Sequence, residues 1–267
     1  MPRTVPRPPV ARRQLASLTP REQLTAGRTT RRLVQLFVGL VLYGVSMAML
    51  VRSTLGLDPW DVLHEGITHH TGLSFGTVVI VVGLLVLLLW IPLRQWPGLG
   101  TVANAVVIGV ATDVSLSLMS EPDSLPVRSV LLVGGPVANG LAGALYIGSQ
   151  FGAGPRDGLM TGLVHRTGGS IRLVRTSLEV TVLALGWLLG GTVGLGTVLY
   201  ALSIGPLVQL FLGWVIVELP ERSGDALEDD QRRVASTTEE SSVTMTSTDV
   251  KRSSLSHCSR NESTRPS

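Results

Sequence analysis

Between about Leu33 and Leu219 the chain is a succession of apolar runs, each near the ~20 residues that a helix needs to cross ~30 Å of hydrocarbon. Lipid offers the backbone no hydrogen-bond partners, so runs of this kind must satisfy their own N–H and C=O groups as helices. They do not alternate polar and apolar residues as the strands of a membrane barrel would. The expected fold is therefore all-α and integral to a membrane, with six transmembrane helices at about 32–51, 74–93, 99–118, 129–148, 171–190 and 196–217.

Charged residues make up only 15% of the 267 positions, and most of them gather at the two ends. Residues 1–30 are rich in Arg, Pro and Thr and hold no apolar run, so no cleavable secretory signal is expected. Residues 220–267 are mainly Ser, Thr and charge and cannot bury enough surface to fold. The expected organisation is a disordered cytoplasmic tail over 1–30, a first membrane repeat over 31–120, a second over 121–219, and a second disordered cytoplasmic tail over 220–267. The net charge of +3 does not point to nucleic acid, because the arginines form no basic face and no aromatic stacking platform accompanies them. They fit better as anchors of cytoplasmic loops. With the N-terminus inside, nine arginines fall on the cytoplasmic side, from Arg28 to Arg222, and only Arg52 and Arg128 fall outside. That asymmetry predicts both termini in the cytoplasm. The single cysteine, Cys258, has no partner for a disulfide or a metal site.

The chain repeats itself. A shift of 96 residues, Ser53 onto Ser149, places Gly56, Pro59, Asp61, Leu63, Gly66, His69, Thr71 and Gly72 on Gly152, Pro155, Asp157, Leu159, Gly162, His165, Thr167 and Gly168. The same shift lays Gly98-Leu99-Gly100-Thr101-Val102 on Gly194-Leu195-Gly196-Thr197-Val198. Matched Leu and Val could reflect membrane composition alone; matched Pro, Asp, His and Ser in register indicate a true repeat. Three spans in each half is an odd number, so the second half should enter from the opposite side. The expected architecture is two inverted three-helix repeats, common in secondary transporters, with a site near the midplane where the halves meet.

Each half carries a polar, Gly-rich interruption after its first span: Gly56-Leu-Asp58-Pro59-Trp60-Asp61 in one and Gly152-Ala-Gly154-Pro155-Arg156-Asp157 in the other. Proline suits the first turn of a helix, where its missing N–H costs nothing. Asp58 or Gly154 would be the N-cap, and Asp61 or Asp157 would sit at the third helical position, facing free N–H groups and the positive end of the dipole. Short helices are expected at about 59–70 and 155–166, roughly 18 Å long at 1.5 Å per residue. Two readings compete. The turns dip toward the midplane as re-entrant half-helices and line a polar site, or the helices lie along the interface and the aspartates merely cap them.

Other polar residues lie within the spans. Glu179 is expensive there unless it faces protein or water, and it could equally pair with Arg175 one turn earlier. Asp113 would reach the interface, while Asn104, Asn139 and Gln209 would hydrogen-bond between helices. His69 and His165 end their short helices, and His64 and His70 add no metal spacing. The Gly pairs before Thr101 and Thr197 are not a phosphate loop, since no Lys-Ser/Thr follows. No metal site, cofactor fingerprint or nucleophile–base pair is read from the sequence, so neither a cofactor nor an enzyme is expected.

The first half's Gly-Leu-Asp-Pro-Trp-Asp, the second half's Gly-Ala-Gly-Pro-Arg-Asp-Gly-Leu and both Gly-Leu-Gly-Thr turns resemble the YczE-like bacterial membrane proteins, related to the YitT group. The resemblance covers about residues 30–217 and implies a multi-span protein of the bacterial plasma membrane. It carries over no catalytic or binding residue. The leading functional expectation is a secondary transporter or exporter of a small organic molecule working by alternating access. Asp61, Asp157, Arg156 and Glu179 would be its polar contacts, with Gly56, Pro59, Gly152 and Pro155 shaping the broken helices. The alternative is a non-transporting scaffold or accessory subunit of a biosynthetic or signalling complex. The expected partners are the lipid bilayer and a small solute, not nucleic acid, with homodimerisation left open.

Overall fold

A computed structural model describes residues 27–217. The readings made for the two tails, and for Cys258, lie outside the described residues. Those residues form eight helices: α1 (Thr29–Ser53), α2 (Pro59–Thr71), α3 (Phe75–Trp90), α4 (Leu99–Leu118), α5 (Leu125–Gly148), α6 (Pro155–Thr167), α7 (Ile171–Leu188) and α8 (Leu195–Val215). No strand occurs among them. The repeat read from sequence reappears in the element bounds: α5, α6, α7 and α8 begin 96 residues after α1, α2, α3 and α4 (125−29, 155−59, 171−75, 195−99).

The two short helices start where the proline chemistry places them. Asp58 is the N-cap of α2, and its Oδ1 accepts the backbone N–H groups of Trp60 (2.8 Å) and Asp61 (2.9 Å). Gly154 holds the equivalent position before α6, without a side chain to do the same. Both helices stop at a left-handed glycine, Gly72 (φ 69°) and Gly168 (φ 67°). Ser74 and Ser170 then cap α3 and α7. The chain bends by 113° between α2 and α3, so the pair is either a broken span or a re-entrant loop.

By length and apolarity α1, α4, α5 and α8 qualify as membrane spans, and the bent α2–α3 pair adds a fifth if it forms one broken span. Helix α3 alone, at 16 residues, is short, and α7 carries Arg172, Arg175 and Glu179. Large apolar side chains such as Leu85, Leu88, Val130, Leu202 and Trp214 point outward, as a lipid-facing surface requires. Inside, Leu36, Leu40, Met47, Phe75, Ile108 and Phe151 form one buried cluster and Leu50, Leu57, Val62, Leu132 and Tyr200 a second. Each cluster draws on both halves.

Packing follows the repeat. Helix α1 packs on α4 as α5 packs on α8, α2 on α7 as α6 on α3, and α1 and α5 cross each other at the centre. Paired contacts stitch the halves reciprocally. The N–H of Gly100 donates to the Phe151 carbonyl, and that of Gly196 to the equivalent Leu55 carbonyl, both at 2.9 Å. Arg32 donates to the Ser149 and Gln150 carbonyls (both 2.8 Å), while its repeat mate Arg128 donates to the Ser53 and Thr54 carbonyls (2.9 and 3.4 Å). Each arginine thus satisfies the orphan carbonyls at the end of the other half's long helix, where Thr54 and Gln150 adopt left-handed turns (φ 52° and 57°).

One pairing breaks the symmetry. Helix α3 lies tight on α4, with Gly76 and Gly109 so close that a Cβ on either would collide with the other's carbonyl. Their counterparts α7 and α8 barely touch, and Gly205, the repeat mate of Gly109, faces open space.

Candidate functional site

The two Pro-x-Asp turns come together at the centre of the bundle. Gly56 (φ 118°) and Gly152 (φ 110°) take backbone conformations that side chains rarely adopt, and each turn leads directly into a half-helix. A Cβ on Gly56 would meet the Gly194 backbone at 2.8–2.9 Å, so the turn also depends on close approach to the other half.

Arg156 reaches across from α6 toward α2. Its guanidinium lies 4.9 Å over the Trp60 ring, 3.9 Å from Asp58 Oδ1 and 3.8 Å from Asp61 Oδ1, the last two beyond hydrogen-bond length. Asp58 and Asp61 are almost wholly buried, and the Oδ2 of each has no partner. Asp61 Oδ1 lies 3.1 Å from Nδ1 of the buried His64, whose ring meets Phe75 edge-on. Asp157 is served differently, accepting a hydrogen bond from the Tyr146 hydroxyl at 2.7 Å. A short network spans the bundle beside it: Tyr200 donates to Asn139 Oδ1 (3.0 Å), and Asn139 donates to Ser46 (2.9 Å).

Two cavities flank this centre. One, of about 110 Å³, lies among α2, α3, α4 and α6 and is lined by Trp60, His64, Val79, Val82, Gly83, Asn104 and Ile108. The other, of about 280 Å³, lies among α2, α5, α6, α7 and α8 and is lined by Arg156, Met160, Arg175, Leu178, Glu179, Tyr200 and Ile204. The second set is the first set shifted by 96 residues (60+96=156 through 108+96=204), position for position. The cavities are therefore repeat-equivalent. Tyr43, Trp60, Tyr146, Arg156 and Asp157 border both, which places Arg156 at their junction. The larger cavity is the one beside the α7–α8 gap.

Of the residues expected from sequence, Asp61, Arg156 and Asp157 meet at this centre, Pro59 borders the larger cavity and Pro155 the smaller, and Gly56 and Gly152 form the turns. Glu179 pairs with Arg175 at 2.9 Å, as one of its two readings expects, and it borders the larger cavity. Asp113 accepts from Ser74 Oγ (2.5 Å) and Gly76 N–H (2.6 Å) and so clamps α3 to α4. His69 and His165 are exposed. Among the described residues no group of three or more His, Cys, Asp or Glu could hold a metal ion. The sequence reading weighed His64 only as a metal ligand and passed over Tyr43, Tyr146 and Tyr200 at the centre. The spacing of His64 from Asp61, three residues along a helix, was the one available signal.

Residues 30–213 match the profile of a family of unknown function, DUF6198. The chain is 42% identical over 185 residues to an uncharacterised protein of Haemophilus influenzae, covering 69% of this chain and 84% of that one. It is 32% identical over 179 residues to the uncharacterised membrane protein YczE of Bacillus subtilis (66% of this chain, 83% of that one). It is 25% identical over 179 residues to the uncharacterised protein YyaS of the same organism (66% and 89%). No solved structure matches.

Proposed function

The chain belongs to the DUF6198 family and is a YczE-like multi-pass membrane protein, and from that premise we propose that it is a secondary transporter or exporter of a small organic solute. In this reading α3 and α7 both cross the bilayer, giving six spans in two inverted repeats, in the plasma membrane with both termini cytoplasmic. It catalyses no reaction. Solute moves by alternating access past the junction of the two half-helices.

The observation that carries this reading is the pair of repeat-equivalent cavities of unequal size, about 110 and 280 Å³. A static scaffold has no need of two matched cavities meeting at one arginine. In an inverted repeat, equivalent cavities lead to opposite faces, and exchanging the packed pair with the parted pair exchanges the open face. The polar surroundings also fit: irregular backbone and charge at this depth are tolerated where they line a water-filled cavity. The solute is small, because the larger cavity measures only about 280 Å³.

The test uses two repeat mates, Val82 in the smaller cavity and Leu178 in the larger. Single Val82→Cys and Leu178→Cys variants, made with Cys258→Ser, are probed from each side with membrane-impermeant thiol reagents. Labelling of the two from opposite sides is expected. Two inert positions in correctly inserted protein, or labelling of both from one side, would remove transport and leave the scaffold reading.

A further inference from the structure

The carboxylates at the start of α2 are underpaired for their burial. Asp58 and Asp61 are 1% and 0% exposed. Asp58 Oδ1 is satisfied by two backbone N–H groups and Asp61 Oδ1 by His64, but neither Oδ2 meets any donor. A buried carboxylate oxygen without a donor is costly, and a site keeps it only when something else pairs with it. Arg156 supplies one positive charge against two negative ones, at 3.8–3.9 Å and to the Oδ1 atoms. The trio therefore falls short by one positive charge.

Among the surrounding groups only the His64 ring on α2 could supply that charge, and it does so only when protonated. From α2 itself Glu65 adds a further carboxylate, already accepting the Thr192 N–H. Across the cavity Asp157 is engaged by Tyr146, Arg175 by Glu179, and Tyr43 and Tyr200 are neutral hydroxyls. The second half lacks the feature: Gly154 replaces Asp58 and Met160 replaces His64. The deficit is thus local to the first half and is no general property of the turn.

We infer that Asp58 and Asp61 together hold one small monovalent cation, a sodium ion or a proton, which couples solute movement to the gradient of that ion. The inference rests on the transport reading for its coupling role, while the binding site stands on the geometry alone. A bound cation would draw both Oδ2 atoms inward and complete the charge balance with Arg156.

The full-length protein, purified in mild detergent, tests it with two readouts that need no solute. Equilibrium binding of radioactive sodium is measured at mildly alkaline pH, and infrared difference spectra across a pH step report a protonated carboxyl. Expected is either about one sodium per chain or a carboxyl band, reduced to background in both Asp58→Asn and Asp61→Asn. Asparagine at Asp58 keeps the helix cap, so the variant should fold. Sodium binding identifies a sodium site, and the band without sodium binding identifies a proton site. Wild-type protein with neither signal overturns the inference, whatever the variants do. So does a signal that both variants retain. Thiol labelling from opposite faces without any cation signal would leave transport standing and remove only this site; a cation signal with no labelled pathway would do the reverse.

Discussion

Asp58 combines two duties that substitution can separate. As an N-cap it satisfies two backbone donors, and as a charge it faces Arg156. Asp58→Ala should lose both, with the cap alone worth about 1 kcal/mol; Asp58→Asn should unfold close to wild type. Thermal unfolding in mild detergent reads the difference, and equal losses would mean the charge, not the cap, holds the turn. The arginine pair that joins the halves predicts a second contrast. Arg32 is fully buried, donates to two carbonyls and stacks 4.2 Å over Phe151, whereas Arg128 is partly exposed. Arg32→Ala should cost about 3 kcal/mol and Arg128→Ala clearly less, by the same measurement. The carboxylates, prolines and glycines of this centre were legible in the sequence, because turn chemistry constrains them locally. Tyr43, Tyr146 and Tyr200 were not: inside a span a tyrosine reads as one more large residue, and only packing between helices of the second half turns the hydroxyls of Tyr146 and Tyr200 toward Asp157 and Asn139.

Helix boundaries followed from punctuation. Pro59 and Pro155 open the short helices and Gly72 and Gly168 close them, one residue beyond the expected ends. What the sequence left unread is how α3 and α7 differ despite equivalent positions. Small residues let α3 sit on α4: Gly76 faces Gly109, and Gly83 faces Ala105. Their mates on α7 are Arg172 and Glu179, long charged side chains that hold a helix away from its neighbour. The contrast predicts opposite responses to one added methyl group. Gly109→Ala should destabilise by about 1–3 kcal/mol, since its Cβ has no room against α3. Gly205→Ala meets nothing within 4 Å and should stay within about 0.5 kcal/mol of wild type. A comparable loss at both positions would show that α7 closes on α8 in the resting protein.

For the whole molecule, the repeat makes a second arrangement physically plausible. Several contacts that join the halves are reciprocal, so exchanging their roles preserves them. The exceptions are α7–α8, where the Arg175–Glu179 pair must be accommodated, and the Arg156 centre, because the repeat mates of Arg156, Asp58 and His64 are Trp60, Gly154 and Met160. Solute or cation binding at the junction would then bias one arrangement over the other by its differential affinity. Disulfide trapping tests this most directly. A Cβ built on Gly83 lies 3.4 Å from the Ala105 Cβ, near the range of about 3.5–4.5 Å that a disulfide needs. With Cys258→Ser, the pair Gly83→Cys and Ala105→Cys should crosslink on mild oxidation, and so should its repeat mate, Glu179→Cys with Ala201→Cys, by capturing the exchanged arrangement. Formation of both crosslinks in membranes, the second exposing the smaller cavity to thiol reagents, is the predicted result. A first pair that crosslinks beside a second that never does would contradict alternating access and leave a single fixed structure.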